Sequence, residues 1–178
     1  MLSNLFCAFT SCSVNGIQLF MPKLDEILLI KQWGIEPLAE KDFRQLSGGE
    51  QQRCQIARTY LQLSNIKPPV QDNTGACVQV GRGVWLLDEP SSSLDLEHQK
   101  QLEQVCRQAA NDGHSVVIVL HNLNQAMSLA DEVWLLQQGE MVAQGPAKEV
   151  MTEALISQVF NVTARCIEDQ GDRFFVFN

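Results

Sequence analysis

The 178-residue sequence lacks clusters of basic residues, paired cysteines and long apolar runs. Its 13 Lys and Arg residues against 21 Asp and Glu residues give a formal net charge of −8, which argues against a nucleic-acid partner, because binding the phosphate backbone requires clustered cations. The six cysteines form no CxxC pair and no zinc-ligand spacing with the three histidines, so we expect free thiols. No apolar run approaches the roughly 20 residues of a membrane helix.

The composition is typical of a globular domain, with 45% hydrophobic and 19% charged residues. The N-terminus has no basic residue ahead of a long apolar stretch, so we predict no secretory signal. If the protein works at a membrane, we expect it to do so as a peripheral subunit on the cytoplasmic side.

The chain divides into four regions by sequence pattern. Residues 1–22 form an atypical N-terminal segment without a clear period, and residues 23–63 contain two predicted helices. Residues 64–83 are polar and rich in Pro and Gly, which predicts a surface loop. Residues 84–178 alternate short apolar strands with helices, which favours an α/β fold with a parallel sheet covered on both faces.

The individual elements follow from periodicity and from the residues that end each helix. The predicted helices are Lys23–Trp33, Glu50–Leu63, Leu96–Asn111, Leu123–Ala130 and Lys148–Phe160. The predicted strands are Val84–Leu87, Ser115–Leu120, Glu132–Leu136 and Met141–Ala143, the last two joined as a hairpin, with a further strand pair around Gly171 near the C-terminus.

Two adjacent carboxylates, Asp88 and Glu89, follow the first buried strand. Open α/β sheets bind ligands at the carboxyl ends of their strands. Asp88 is therefore a candidate ligand for a magnesium ion, and Glu89 a candidate to polarise a water for attack on a terminal phosphate. The alternative is an acid pair in an ordinary turn.

A Ser-Gly-Gly-Glu sequence from Ser47 to Glu50 opens the second predicted helix. Backbone N–H groups at a helix N-terminus attract anions, although a plain helix cap would also explain these residues. Asp95 lies seven residues beyond Asp88, and His121 ends the second predicted buried strand, where it could contact a phosphate or serve a purely structural role.

Together these pieces resemble the ATP-binding-cassette (ABC) ATPases over about residues 31–178. LSGGEQQR resembles their signature motif, VWLLDEP their Walker B strand with the catalytic glutamate, SSSLD their D-loop, and His121 their switch histidine. The run VWLLQQGEMVAQGPAKEVMT resembles the strand, hairpin and helix that follow that histidine. The resemblance implies a partial P-loop NTPase fold of the RecA-like type, with a parallel sheet and a late antiparallel hairpin. Residues 23–63 would then be a remnant of the helical subdomain with the signature motif, and residues 84–178 the C-terminal part of the ATPase core.

The resemblance also implies roles for single residues, with ATP and Mg²⁺ as cofactors. The signature residues would bind nucleotide in trans, on the opposite subunit of a head-to-tail dimer, and they are Ser47, Gly48, Gly49 and Glu50. Asp88 would be the magnesium ligand and Glu89 the general base. Asp95 would communicate across the dimer, and His121 would contact the γ-phosphate. The implied partners are integral-membrane permease subunits, a second ABC ATPase subunit and, indirectly, a periplasmic substrate-binding protein, at the cytoplasmic face of a bacterial inner membrane.

The sequence contains no Gly-Lys-Ser/Thr loop, the Walker A element that cradles the phosphates in this family. We therefore expect the isolated chain to bind ATP poorly and not to hydrolyse it. A gene fragment is the favoured interpretation, and a genuine short form that pairs with a complete subunit is the alternative.

Within the family, SLDLEHQ at residues 93–99 and the long loop after the signature helix resemble the haem-import ATPases. Vitamin B12 and ferric-siderophore import ATPases are the second and third interpretations. A non-catalytic module that pairs with a complete cassette is the alternative from another class. A soluble ABC protein of DNA repair or translation is less favoured, because the sequence contains no long coiled-coil or tandem-cassette insertion.

Overall fold

The computed structural model describes residues 24–64 and 82–178. The predicted segment 1–22 and most of the predicted loop 64–83 lie outside the described residues. The chain divides into two compact units, Met1–Val119 and Leu120–Asn178. Both contain helices and strands, and the first contains a parallel pair, which confirms the predicted α/β class.

Among its described residues, the first unit contains three helices and one parallel strand pair. In chain order they are α1 (Leu24–Gln32), α2 (Gly48–Ser64), β1 (Val84–Asp88), α3 (Leu96–Asn111) and β2 (Ser115–Val119), with short 3₁₀ turns at Glu36–Leu38 and Phe43–Gln45. Strand β1 pairs with β2 in parallel, from Val84 opposite Ser115 to Asp88 opposite Val119.

Helix α1 ends as the sequence predicts, at a glycine. Gly34 has a left-handed backbone with φ of +58°, which a residue without a Cβ adopts at little cost. Its N–H donates to the Lys31 carbonyl, and the N–H of Ile35 donates to the Ile30 carbonyl. These two bonds form a Schellman cap that satisfies carbonyls at the helix end.

Apolar residues of α2 and α3 form the core of this unit. The buried residues of α3 recur every three or four positions along the helix, namely Leu102, Val105, Cys106 and Ala109. Those of α2 are Cys54, Ile56, Ala57, Leu61 and Leu63. The ring of Tyr60 lies 5.5 Å from that of Trp85, and the indole N–H of Trp85 donates to the Thr59 hydroxyl at 3.0 Å. Helix α2 is thereby fixed against β1.

The prediction that β1 and β2 are buried on both faces is wrong. Trp85 and Leu87 are buried, but Val84 and Leu86 on the other face are 63% and 71% exposed. Val117 and Val119 of β2 share that exposed face. Burial depends on what packs against each face, and an unbroken apolar run does not report whether both faces are covered.

The second unit contains two antiparallel hairpins and three short helices. Its elements are α4 (Leu123–Leu129), β3 (Glu132–Gln137), β4 (Glu140–Pro146), α5 (Ala147–Val150), α6 (Glu153–Phe160), β5 (Ala164–Asp169) and β6 (Asp172–Phe177). Strand β3 pairs with β4 and β5 with β6, so both predicted strand pairs are confirmed. Gln138 and Gly139 have positive φ values, as a two-residue hairpin turn requires. The core of this unit consists of Ala147, Met151, Ile156, Ala164 and Phe175.

The predicted continuous helix Lys148–Phe160 is wrong, because two helices occupy this stretch. Met151, only 1% exposed, donates its N–H to the Ala147 carbonyl at 2.9 Å and then leaves the helical conformation with a ψ of 76°. Thr152 then caps α6, since its hydroxyl accepts from the N–H of Leu155 at 3.3 Å. In the described ranges no helix has the length and apolar character to span a membrane.

Candidate functional site

Ser47 and Glu50 form a reciprocal cap at the start of α2. The Ser47 N–H and hydroxyl both donate to one Glu50 carboxylate oxygen at 2.8 Å, and the Glu50 N–H points back to the Ser47 hydroxyl at 3.4 Å. This is the capping box expected of Ser-x-x-Glu, and it starts the helix at Gly48, two residues earlier than predicted. The Lys41 ammonium lies 3.9 Å from the other carboxylate oxygen.

The hydrogen bonds from Ser47 hold the pKa of Glu50 below its usual value. The backbone N–H contributes most, followed by the hydroxyl, while Lys41 and Arg53 add smaller Coulombic effects. The first turn of α2 thus keeps a carboxylate ionised beside its N–H groups. An incoming anion would have to share the Ser47 hydroxyl with Glu50.

Gly49 allows the start of α2 to lie against the backbone of the loop at residues 91–95. A Cβ added at Gly49 would lie 2.7 Å from the Ser93 carbonyl oxygen, a distance that real Cβ atoms do not reach. A Cβ at Gly48 would meet only the Ser93 hydroxyl, at an ordinary 3.8 Å. The two adjacent glycines therefore differ, and only Gly49 is required sterically.

Asp88 and Glu89 occupy the carboxyl end of β1, as the sequence predicts. Asp88 is exposed in the last position of the strand. Glu89 is half-buried, has an unfavourable φ of +46°, and donates its N–H to the Val119 carbonyl at 3.0 Å. A left-handed glutamate costs about 1–2 kcal/mol, and the conformation ends the strand and starts the loop that follows Pro90.

Asp95 caps α3 at the end of that loop. Its carboxylate accepts from the His98 N–H at 2.9 Å and contacts His98 Nδ1 at 2.7 Å. These two contacts lower the pKa of Asp95, the backbone bond most and the ring bond second, with a smaller Coulombic effect from Arg53. The D-loop candidate is therefore an ionised helix cap.

Arg53 and His98 belong to this region, although neither was predicted as a site residue. Nη1 of Arg53 lies 3.2 Å from Nε2 of His98, which joins α2 to α3 across 45 residues of sequence. Nε of Arg53 is buried and has no hydrogen-bond partner within the described ranges. The Asp-x-x-His spacing at the start of α3 signals the cap, but no local pattern signals the contact with Arg53.

His121 belongs to the second unit, two residues beyond the end of β2 at Val119. It is exposed and directly precedes Asn122, whose side chain caps α4 by accepting from the N–H groups of Asn124 and Gln125. Its role at a γ-phosphate stays a prediction, as do the roles of Asp88, Glu89 and the signature residues.

Over residues 24–64 and 82–178, no group of three or more His, Cys, Asp or Glu side chains could hold a metal ion. A single exposed carboxylate such as Asp88 nevertheless suits Mg²⁺, which keeps several waters and is commonly held by one or two carboxylates together with phosphate oxygens. The donor set of these described residues therefore fits magnesium only as part of a metal–nucleotide complex.

No protein-family model matches the chain, whereas single proteins match it well. The Hemin import ATP-binding protein HmuV of Nitrobacter winogradskyi is 40% identical over 140 residues, covering 78% of this chain and 47% of that protein. The protein of the same name from Pseudoalteromonas translucida is 42% identical over 123 residues, covering 69% of this chain and 43% of that protein. The chain thus spans about half the length of the curated relatives it matches.

Solved structures agree on the fold. A metal-chelate type ABC transporter in an inward-facing conformation matches with a TM-score of 0.60 and 22% identity, covering 90% of this chain and 59% of that one. An archaeal ribosome recycling factor in complex with a ribosomal stalk protein matches with a TM-score of 0.58 and 22% identity, covering 86% of this chain and 28% of that one. Transporters and a recycling factor share this fold, so the structural likeness alone shows only the cassette architecture. The sequence identity shows to which group of cassette proteins the chain is related. The chain belongs to the ABC ATPases and is related, among them, to the hemin import ATP-binding proteins.

Proposed function

We propose that the chain acts as an energy-coupling ATP-binding subunit of a bacterial haemin importer, in a dimer with a second cassette subunit. Haemin is proposed because the matching relatives carry that activity in their names. Vitamin B12 and ferric siderophores remain the alternative substrates. The permease subunits, the periplasmic binding protein and the cytoplasmic face of the inner membrane belong to the same proposal.

The observation that carries the proposal is the arrangement at the start of α2. Ser47 and the two glycines stand at the N-terminus of a 17-residue helix, where N–H groups and the helix dipole favour an anion. Gly49 packs against the Ser93 carbonyl, so the loop that carries Asp95 lies directly beside the anion-binding end. We assign this surface to the γ-phosphate of a nucleotide on the partner subunit.

At the end of β1, Asp88 would hold the magnesium ion that accompanies ATP, and Glu89 would accept a proton from water. Bound Mg–ATP supplies the phosphoanhydride bond whose cleavage drives transport. The sequence has no Gly-Lys-Ser/Thr loop for the phosphates. Since backbone amides and a lysine provide most phosphate affinity in such loops, the nucleotide facing Ser47 would be held by the second subunit.

A mixing experiment tests this proposal. The second subunit would be a full-length cassette that contains the Gly-Lys-Ser/Thr loop but whose own signature serine is replaced by arginine, so that its homodimers are inactive. Adding this chain should restore magnesium-dependent ATP hydrolysis. Ser47→Ala should lower the restored rate on the order of 100-fold, as loss of one preorganised donor does. Ser64→Ala, at the opposite end of α2, is the matched control. No restoration by the unaltered chain would contradict the proposal.

A non-catalytic module that only lends its signature surface is the second candidate, and the absence of a phosphate-binding loop favours it. A second partner separates the two candidates: a full-length cassette with an intact signature serine but with its own catalytic glutamate replaced by glutamine. If Glu89 acts on a nucleotide of its own, hydrolysis appears with this partner and is lost in Glu89→Gln. If the chain only completes its partner's site, no hydrolysis appears with this partner.

A further inference from the structure

We propose that His98 is a positioning residue, which fixes the loop at residues 91–95 to helix α2 by bridging Asp95 and Arg53. Its Nδ1 lies 2.7 Å from an Asp95 carboxylate oxygen, and its Nε2 lies 3.2 Å from Nη1 of Arg53. The imidazole side chain is 16% exposed and the Asp95 side chain 66% exposed, so the contact with Arg53 is the better shielded of the two. One ring therefore contacts the cap of α3 and the side of α2 together.

The chemistry of the two partners decides which ring nitrogen carries the proton. A guanidinium group only donates hydrogen bonds, so Nε2 of His98 must offer its lone pair to Arg53. The ionised carboxylate of Asp95 only accepts, so Nδ1 must carry the hydrogen. The bridge thus requires the neutral imidazole with its proton on Nδ1.

The bridge has a second contact one helical turn away. Arg53 follows Gly49 by four residues, which places both on the same face of α2. Gly49 touches the Ser93 carbonyl, and Arg53 contacts His98. Helix α2 therefore meets the 91–95 loop and the helix after it at two successive turns. A displacement of Asp95 must move the anion-binding end of α2 or break one of these contacts.

An ordinary helix cap would explain the Asp95–His98 pair but not its contact with Arg53. Two variants separate these explanations. In His98→Asn the amide nitrogen can stand in for Nδ1 and keep the cap, but the side chain is too short to reach Arg53. In His98→Gln the longer amide can accept from Arg53. If His98 bridges Asp95 and Arg53, His98→Gln should preserve the order of the 91–95 loop better than His98→Asn. If His98 is only a cap residue, His98→Asn should preserve it better.

Nuclear magnetic resonance of the imidazole nitrogens in the full chain tests the bridge directly. The sequence has three histidines, and His114 is an internal control, because its Nδ1 accepts from the Gly83 N–H at 3.1 Å and its proton must lie on Nε2. We expect His98 and His114 to show opposite tautomers. Arg53→Met should shift the Nε2 resonance of His98 and leave that of His114 unchanged. A proton on Nε2 of His98, or no response to Arg53→Met, would overturn the inference.

Amide hydrogen exchange tests whether the bridge orders the loop. The N–H groups of Ser92 and Leu94 donate to the Glu89 and Ser91 carbonyls, both at 3.2 Å. Arg53 takes no part in the hydrogen bonds that cap α2 or α3. Arg53→Met and His98→Asn should nevertheless each speed exchange at these two amides at least about threefold. His98→Gln should retain most of the protection. Exchange rates that are unchanged in Arg53→Met would show that His98 is only a cap residue.

The consequence for hydrolysis rests on the proposed function. In the mixing assay, His98→Asn should lower kcat about tenfold through misplacement of the anion-binding end and leave KM for ATP unchanged, since the partner holds the nucleotide. If the unaltered chain restores no hydrolysis, the proposed function is wrong. The magnetic resonance spectra of His98 would still show whether it bridges Asp95 and Arg53. If the unaltered chain restores hydrolysis that His98→Asn does not alter, the positioning role is wrong.

Discussion

Gln51 and Gln99 hold two different loops by the same pair of hydrogen bonds. The Gln51 amide nitrogen donates to the carbonyls of Phe43 and Leu46 at 3.1 and 3.0 Å, eight and five residues earlier in the chain. The Gln99 amide nitrogen donates to those of Ser91 and Leu94 at 3.3 and 2.9 Å, at the same two offsets. Each glutamine is the fourth residue of its helix. The signature loop and the D-loop candidate are therefore held by the same local hydrogen-bond pattern.

Replacing either glutamine by alanine should destabilise the protein, because two loop carbonyls lose their donor. We expect about 1 kcal/mol for each variant from urea unfolding. Because Gly49 and Ser93 bring the two loops into contact, the double variant should deviate from additivity by about 0.5 kcal/mol or more. Gln104→Ala on the exposed side of α3 is the control. Strict additivity would mean that the loops are energetically independent.

The two signature glycines should respond differently to alanine. Gly49→Ala should cost about 1–3 kcal/mol, since the new methyl group would overlap the Ser93 carbonyl. Gly48→Ala meets only an ordinary contact, and alanine is favoured over glycine within a helix by about 0.5–1 kcal/mol. Urea unfolding of the two variants measures the difference. Equal effects would show that the loop moves away without cost.

The Glu50 cap should weaken in acid. The pKa of Glu50 is lowered in the folded state, chiefly by the Ser47 N–H, so its stabilising effect is fully present above the ordinary value of 4.5 and is lost as the pH falls through the lowered pKa. Thermal unfolding between neutral pH and pH about 3 should therefore show a smaller loss of Tm in Glu50→Gln than in the unaltered chain. Glu97→Gln, in the exposed first turn of α3, is the matched control. If Tm falls equally with pH in the unaltered chain, Glu50→Gln and Glu97→Gln, the Glu50 cap does not cause the loss of stability in acid.

Glu89 holds a backbone conformation that favours glycine. Glu89→Gly should be more stable than Glu89→Ala by about 1 kcal/mol, because glycine adopts the φ of +46° without a Cβ clash. Both variants lack the carboxylate, so the comparison isolates the backbone. Thermal unfolding provides the measurement. An alanine variant as stable as the glycine variant would show that the strain is absent or relaxed.

Cys106 should resist modification until the protein unfolds. Burial raises the pKa of its thiol to about 12, so almost no thiolate exists at pH 8. Cys166 is only half-buried and should alkylate faster. Mass spectrometry after brief treatment with a thiol reagent, with and without urea, measures the contrast. Rapid labelling of Cys106 without denaturant would indicate that α3 opens readily.

The sequence predicted those features that depend on a few neighbouring residues. Gly34 ends α1, and Gln138 with Gly139 forms a hairpin turn, since each needs only local backbone preferences. The cap at Ser47 was also expected, but the helix it opens begins two residues before the predicted start at Glu50. The four sequence regions stay a prediction.

Features that depend on contacts between residues far apart in the sequence were not predicted. The helix ends at Val150 and the next residue, Met151, is buried in the core of the second unit, an arrangement that no helical period reveals. The contact between Arg53 and His98 joins residues from two helices. Both features require the tertiary arrangement, and local propensity carries no information about it.

The apolar face of the β1–β2 pair has a consequence for the life of this protein in a cell. A stripe of exposed valine and leucine on extended strands is the surface that holding chaperones and quality-control proteases engage. Molecules that retain an open face of this kind should be removed faster than those in which it is covered. The steady-state amount of the chain, which is the ratio of its synthesis to its removal, should then rise when that face is shielded sooner after translation.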